Sequence, residues 1–312
     1  MRLGVLDIGS NTGHLLVVDA HAGAAPLPAY SYKQPLRLAE HLDDDGAVTE
    51  EGVGALVEFV QGAINVADEK GCSDMLSFAT SAVRDAVNSD HVLDSVFRST
   101  GMEIEVLPGE DEARLTFLAV RRWFGWSAGR LVVFDIGGGS LEIAGGSDEA
   151  PDVVWSLPLG AARLARGRET IDEDGLKQLR REIRAAIADN AGHLLRAGVP
   201  DKAVATSKTF RSLARICGAA PSGEGSLLRR VLPLGELREW IPKLVHMDLE
   251  QLSDLPGVSA RRAHQIVPGA LVAEACMDIF DLAELEICPW ALREGVILER
   301  IDKIPLLESP LI

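Results

Sequence analysis

Two short stretches carry residue types suited to phosphate chemistry. Asp7-Ile8-Gly9-Ser10-Asn11-Thr12 and Asp135-Ile136-Gly137-Gly138-Gly139-Ser140 each follow an apolar run, and each places an acid, then glycine, then small polar residues. A glycine directly after a strand lets the chain reverse sharply and brings backbone N–H groups close to a ligand. A concave row of such groups binds phosphate oxygens. The ionised Asp cannot hydrogen-bond the same anion, so its useful work there is to hold a divalent cation or its waters. Taken singly, each stretch reads as a hairpin with a capping Asp. Two copies in equivalent places, 128 residues apart, predict a two-sided phosphate clamp. Gly9, Ser10, Asn11 and Thr12 form one side, and Gly137, Gly138, Gly139 and Ser140 the other. Asp7 and Asp135 are expected to face each other across a cleft.

Three further features fit this chemistry. Alternate residues of a strand share a face, so Glu142 is expected to point as Ser140 does and to join Asp135 as a second metal-associated carboxylate. Arg84 follows the apolar run Met75–Ala79 through Thr80-Ser81-Ala82-Val83. Strand ends are where α/β proteins bind ligands, and an Arg there can grip a phosphate with two donors. An exposed Arg opening a helix explains the same residue equally well. Glu110, Asp111 and Glu112 open a predicted helix, where acids stabilise the helix dipole. A carboxylate so placed also stays ionised, as a general base requires, and residue chemistry does not choose among the three. All these donors are hard oxygens, and Cys72, Cys217, Cys276 and Cys288 are scattered with no zinc-site spacing. Mg²⁺, or Mn²⁺, is therefore expected rather than zinc.

The elements that must position these residues alternate between α and β. Each Asp-Ile-Gly turn lies between two apolar strands, with Leu15–Val18 following the first and Leu141–Ala144 the second. Thr49 predicts a helix N-cap, with Val53, Leu56, Val57, Val60 and Ile64 at helical spacing and Gly71 as the stop. Met75–Ala79, Lys202–Thr206 and Leu285–Cys288 read as strands. Glu110–Trp123 and Phe210–Cys217 read as helices, and Ala219–Ser226 as a loop. Asp172 is read as the cap of a long helix built on Leu176, Leu179, Ile183 and Ile187 and ended by Gly198-Val199-Pro200. A repeat of this length is a domain, not a solenoid unit. Two α/β domains follow, 1–127 and 128–312, with the boundary near Gly125–Gly129.

Whole-chain properties narrow the function. The 312 residues exceed one ordinary core. Hydrophobic residues make up 47% and charged residues 25%, a globular balance. A formal charge of −16 and 5% aromatic content argue against a nucleic-acid or anionic-membrane partner. The N-terminus lacks a signal-peptide pattern and no run is long enough for a membrane span, so with its scattered cysteines the chain reads as cytoplasmic. An acidic protein must hold a polyanion by short-range contacts. Arg163, Arg166, Arg168, Lys208, Arg211, Arg261 and Arg262 are candidates for a basic lane, whereas Lys177, Arg180, Arg181 and Arg184 read as solvated.

The order Asp7-Ile8-Gly9-Ser10-Asn11-Thr12, Thr80…Arg84, Glu112-Ala113-Arg114-Leu115, Asp135–Ser140…Glu142, Val267-Pro268-Gly269-Ala270 and Ala291-Leu292-Arg293-Glu294-Gly295-Val296 resembles the exopolyphosphatase / guanosine pentaphosphate phosphohydrolase family, in a short two-domain form. The resemblance covers nearly the whole chain. It implies two actin-like (ribonuclease H-like) domains with the active site in the cleft between them. It also implies release of terminal phosphate from inorganic polyphosphate, with guanosine pentaphosphate as the alternative substrate. By the same resemblance Glu112 matches the catalytic Glu, Arg84 a phosphate-binding Arg, and Asp135 and Glu142 the metal-site acids; a homodimer is compatible. This chain departs from the pattern at Asp111, where many relatives have Glu, at Thr206-Ser207-Lys208-Thr209, which replaces a Gly-richer loop, and at Cys288-Pro289-Trp290. Longer relatives carry an added helical C-terminal region, whose absence is expected to shift chain-length preference or oligomer state. An actin-like kinase or ATPase needs an adenosine pocket beside a Gly-Gly turn, which Thr206–Thr209 does not offer. A regulator without turnover is disfavoured by Glu112, Asp135 and Glu142 occurring together.

Overall fold

The computed structural model describes residues 1–168 and 173–308, so the capping expected of Asp172 lies outside the described residues. The chain forms two compact units, one from Met1–Leu115 with the C-terminal stretch beginning at Leu292, the other from Thr116–Ala291.

The first unit opens with β1 (Arg2–Ile8), β2 (Thr12–Asp19) and β3 (Pro28–Pro35). Leu3, Val5, Leu6 and Ile8 are all fully buried, so both faces of β1 are covered, as its unbroken apolar run requires. Helix α1 (Glu50–Glu69) starts where expected, with the Thr49 side chain accepting the Gly52 N–H, and it stops at Gly71, which takes φ 71°. β4 (Asp74–Ala79), α2 (Ser81–Arg84), α3 (Ser89–Thr100), β5 (Glu105–Val106) and α4 (Gly109–Phe124) follow. The sheet runs β3-β2-β1-β4-β5, with β2 antiparallel to both β1 and β3, and β4 and β5 parallel to β1.

The second unit contains β6 (Leu131–Ile136), β7 (Leu141–Gly146), β8 (Val153–Leu157), α5 (Ala161–Ala165), α6 (Glu173–Arg196), β9 (Lys202–Ala205), α7 (Ser207–Ile216), β10 (Val231–Pro233), α8 (Leu234–His246), α9 (Leu249–Asp254), α10 (Ile266–Ile279) and β11 (Glu284–Ile287). Its sheet order is β10-β11-β9-β6-β7-β8. Read from the other edge, β8-β7-β6-β9-β11 repeats the order and directions of the first sheet, and β10 adds an antiparallel edge. The duplicated motif is thus a duplicated sheet, the actin-like arrangement. The loop expected at Ala219–Ser226 holds one 3₁₀ turn, Ser222–Glu224.

The repeat predicts a boundary near Gly125–Gly129 with everything beyond it in one half. By packing, the division falls inside α4, and the last helix, α11 (Leu292–Glu308), belongs to the first unit. Its Ile297, Ile301 and Ile304 are buried with Leu3, Val5, Leu16, Phe78 and Leu115 in one apolar cluster. Burial of these side chains outweighs contiguity along the chain. No described helix is long and apolar enough to cross a membrane.

Candidate active site

In the first unit, the Gly9 N–H bonds the Thr12 carbonyl at 3.1 Å, which closes the β1–β2 turn and pairs Asp7 with His14 across the strands. In the second, the Gly137 N–H bonds the Ser140 carbonyl at 2.9 Å and pairs Asp135 with Glu142. The two turns are built alike. Gly9 and Gly137 therefore use their N–H groups to close the turns, where a phosphate contact was expected of them. Ser10 and Ser140 are both buried, and the Ser10 hydroxyl lies 3.1 Å from that of Ser81.

Arg84 closes α2, directly after β4. Its Nη1 donates to Glu112 Oε1 and, at 3.1 Å, to the Leu107 carbonyl, while its Nε donates to Asp85 Oδ1 at 3.0 Å. Burial works to lower the Arg84 pKa, but Glu112 and Asp85 together raise it above the ordinary value, so the guanidinium is firmly charged. Packing separates the three acids that chemistry left equivalent. Glu112 is 7% exposed against Arg84, Asp111 pairs with Arg114 at 3.1 Å, and Glu110 is exposed.

One partner of Asp7 comes from the far end of the sequence. Arg293, at the start of α11, places Nη1 3.5 Å from Asp7 Oδ2 and on His14 Nδ1. A guanidinium has no acceptor, so Nδ1 accepts and the ring proton sits on Nε2. That Nε2–H donates to the Ser31 hydroxyl at 2.7 Å. Burial, reinforced by the charges of Arg293 and Lys33, lowers the His14 pKa to about 3 and keeps the ring neutral.

In the second unit, the Asp135 carboxylate accepts from the Thr206 hydroxyl, and Glu142 Oε1 accepts from the Ser156 hydroxyl at 2.9 Å. Glu142 is 5% exposed, and a Cβ placed on Gly137 would stand 4.0 Å from its Oε2. The carboxylate thus lies beside the glycine turn. Helix α5 supports that turn from outside: the Ala161 N–H bonds the Gly137 carbonyl at 3.0 Å, and those of Ala162 and Arg163 bond the Gly138 carbonyl at 2.9 Å. Such close approach needs Gly160, where a Cβ would fall 2.2 Å from the Gly139 carbonyl carbon.

Residues 16–304 match the model of the Ppx/GppA phosphatase family. This chain belongs to that family. It is 53% identical over 305 residues to Exopolyphosphatase 1 of Mycobacterium bovis, an alignment covering 97% of this chain and 89% of that protein. The crystal structure of an exopolyphosphatase from Cytophaga hutchinsonii superposes with a TM-score of 0.86 at 22% identity, covering 97% of this chain and 99% of that one. The Aquifex aeolicus Ppx/GppA family member superposes with a TM-score of 0.77 at 23% identity, covering 99% of each chain.

The carboxylates of this Ppx/GppA protein suit a hard cation. Among the described residues no group of three or more His, Cys, Asp or Glu side chains gathers into a metal cage. Mg²⁺ is commonly held by one or two carboxylates together with substrate phosphates, and the Asp135–Glu142 pair supplies that many.

The basic candidates divide. Lys208 donates to the Gly257 carbonyl at 2.9 Å, and Arg168 donates to the Leu164 carbonyl at 3.0 Å and pairs with Glu182 at 3.5 Å. Burial and the neighbouring charge of Arg211 lower the Arg262 pKa. Two residues read as solvated have structural work: Arg180 pairs with Glu274 at 3.6 Å and Arg184 with Asp278 at 2.7 Å, tying α6 to α10. Unforeseen in the sequence were Thr206, Ser156, His14, Arg293 and Gly160. A signal for Thr206 was present, since Thr80-Ser81 and Thr206-Ser207 follow strands at nearly the spacing of the Asp-Ile-Gly repeat. The Thr80 N–H bonds the Ile8 carbonyl at 3.1 Å, and that of Thr206 bonds the Phe134 carbonyl at 2.9 Å.

Proposed function

We propose that this chain is a cytoplasmic exopolyphosphatase that hydrolyses the terminal phosphoanhydride of inorganic polyphosphate, with Glu112 as general base. The pair of buried Glu112 with half-buried Arg84 carries this reading. It places a carboxylate against a guanidinium that a phosphate can also bind with two donors. When the terminal phosphate takes up Arg84 donors, Glu112 is released to accept a proton from the attacking water. The water oxygen forms the new bond to phosphorus, the bond to the bridging oxygen breaks, and orthophosphate and a chain one unit shorter leave. The transition state is loose, so positioning and charge neutralisation do most of the work. In the first unit Ser10, Asn11 and Thr12, and in the second Gly138, Gly139 and Ser140, offer hydroxyl and backbone N–H donors to phosphate oxygens. Mg²⁺, or Mn²⁺, held by Asp135 and Glu142 would offset the charge of the phosphates, and Asp7 is the candidate metal ligand of the first unit.

The test measures phosphate release from short polyphosphate, long polyphosphate, guanosine pentaphosphate and ATP in parallel, with and without Mg²⁺. Mg²⁺-dependent release from polyphosphate is the expected result. Faster release from guanosine pentaphosphate would reassign the substrate, and turnover of ATP alone would overturn the reading.

A further inference from the structure

The two turns share backbone geometry and differ in charge. Asp7 and Asp135 stand at the same place in the repeat, and so do their cross-strand partners, His14 and Glu142. Each partner takes a serine of the next strand, Ser31 on β3 for His14 and Ser156 on β8 for Glu142. In the second unit the pair is two acids. In the first it is an acid and an imidazole, with Arg293 touching both through a single nitrogen. The motif Ala291-Leu292-Arg293-Glu294-Gly295, given no role by the reading above, accounts for how Arg293 arrives. A Cβ on Gly295 would lie 2.0 Å from the Leu115 carbonyl oxygen, so only glycine lets α11 approach α4 this closely. Arg114 of α4 pairs with Glu299 of α11 at 2.8 Å and fastens the same two helices. One helix start is thereby tied to β1, which carries Asp7, and to α4, which carries Glu112.

We propose that Arg293 is a positioning residue, aligned by His14, that fixes the Asp7 carboxylate and balances its charge where the second turn keeps two acids. The inference rests on Asp7 taking part in the proposed phosphohydrolase site. One nitrogen makes both contacts, so an ammonium placed there can replace the guanidinium. Likewise, an amide oxygen at position 14 can replace Nδ1 as acceptor. Neither replacement is available to Arg293→Met or His14→Leu.

The test measures kcat and KM for polyphosphate in Arg293→Met, Arg293→Lys, His14→Leu, His14→Asn and Asp7→Asn, and in the double variant Asp7→Asn/Arg293→Met, each checked for folding by thermal melting. Loss of an outer partner of a functional carboxylate typically costs about 10–100-fold. We expect that loss in kcat for Arg293→Met and His14→Leu, with KM little changed, and recovery of most of it in Arg293→Lys and His14→Asn. Arg293→Met should cost nothing further in the Asp7→Asn background. In the metal-free protein, long-range ¹⁵N NMR should show the Nε2–H tautomer of His14 and its loss in Arg293→Met. An impaired Asp7→Asn on which Arg293→Met has a full additive effect overturns the inference and leaves the site reading standing. Asp7→Asn with wild-type turnover overturns both, since Arg293 would have nothing to act through. Should Arg293→Met fail to fold, the Arg293→Lys and His14→Asn rates and the wild-type tautomer decide alone, and an Nδ1–H tautomer overturns the proposal.

Discussion

Asp135 and Glu142 stand directly opposite each other on β6 and β7, one oriented by the Thr206 hydroxyl and the other by Ser156. Two carboxylates on neighbouring strands repel unless a cation or a proton lies near them. We therefore expect Mn²⁺ binding to the purified protein to weaken by about 10-fold or more in Asp135→Asn and Glu142→Gln, and by a smaller factor in Thr206→Val. Titration followed by electron paramagnetic resonance checks this. Unchanged affinity in both carboxylate variants would move the cation elsewhere. Full activity in EDTA would remove it from the reaction.

Glu112 is separated from its neighbours by burial against Arg84, and the kinetics should separate them too. Removing a general base costs roughly 10²–10⁴-fold in rate. Glu112→Gln keeps the shape and should lose kcat to that extent while still binding polyphosphate. Glu110→Gln and Asp111→Asn should stay within a few-fold of wild type. If Glu112→Gln turns over normally, the base is another of the three acids.

The legible part of this molecule was the part repeated in its sequence. Two apolar strands flanking Asp-Ile-Gly gave the hairpins, their duplication gave the paired sheets, and Thr49 and Gly71 marked α1 at both ends. What stayed hidden depended on residues distant in the chain. Arg293 lies 286 residues from Asp7, and nothing in the periodicity of α11 says that its first turn ends at β1. The domain boundary misled for the same reason, because a burial preference such as that of Ile297 or Ile301 does not say which sheet will cover it. Gly160 reads as a turn glycine, and only the fold shows the Gly138 and Gly139 backbone pressed against it.

That crowding gives a stability prediction. Added methyl groups at Gly160 and Gly295 would fall 2.2 Å and 2.0 Å from backbone atoms, which cannot rotate away as a side chain can. Overpacking typically costs about 1–3 kcal/mol, occasionally more. Urea unfolding should place Gly160→Ala and Gly295→Ala at or above the top of that range. Gly54→Ala, whose added methyl meets nothing within 4 Å, should be neutral or slightly stabilising. Equal stability of all three would mean that the close approaches are not present in solution.

His14 gives the protein a predictable response to acid. Its pKa is lowered from 6.5 to about 3, chiefly by burial. Between those values the unfolded chain binds a proton that the folded chain refuses, so stability rises with pH through that window. The contribution is fully present above about pH 6.5 and is lost progressively as pH falls toward 3. His14→Asn titrates at neither end. The stability difference between wild type and His14→Asn, measured by urea unfolding of the metal-free proteins at about pH 7 and about pH 4.5, should therefore shift against wild type at the lower pH. A pH-independent difference would show that His14 stays as protonatable when folded as when unfolded.

A chain of formal charge −16 must hold a polyanion against its own field. Long-range steering repels polyphosphate, so binding must come from local contacts and neutralised substrate. Of the basic residues proposed as a lane, Lys208 already donates to the Gly257 carbonyl and Arg168 to that of Leu164, which makes them poor probes because their loss also loosens the fold. Arg211 and Arg262 lie close enough for the charge of one to act on the other. Two guanidinium groups close enough for one to lower the pKa of the other repel, and an anion between or beside them relieves that repulsion. Arg166, just past the end of α5, lies on the helix that supports the Gly137–Gly139 turn. If these residues form a lane, a long chain of phosphates should engage all of them and a substrate that occupies only the terminal position should not. Charge reversal in Arg166→Glu and Arg211→Glu should raise KM for long polyphosphate by about 10-fold or more, roughly one lost charge-assisted contact with a charge of the wrong sign added. The effect on short polyphosphate and guanosine pentaphosphate should be smaller, and the difference should shrink as ionic strength rises. Equal losses for all three substrates, or no loss for any, would show that the protein grips only the terminal few phosphates and that these arginines serve the fold.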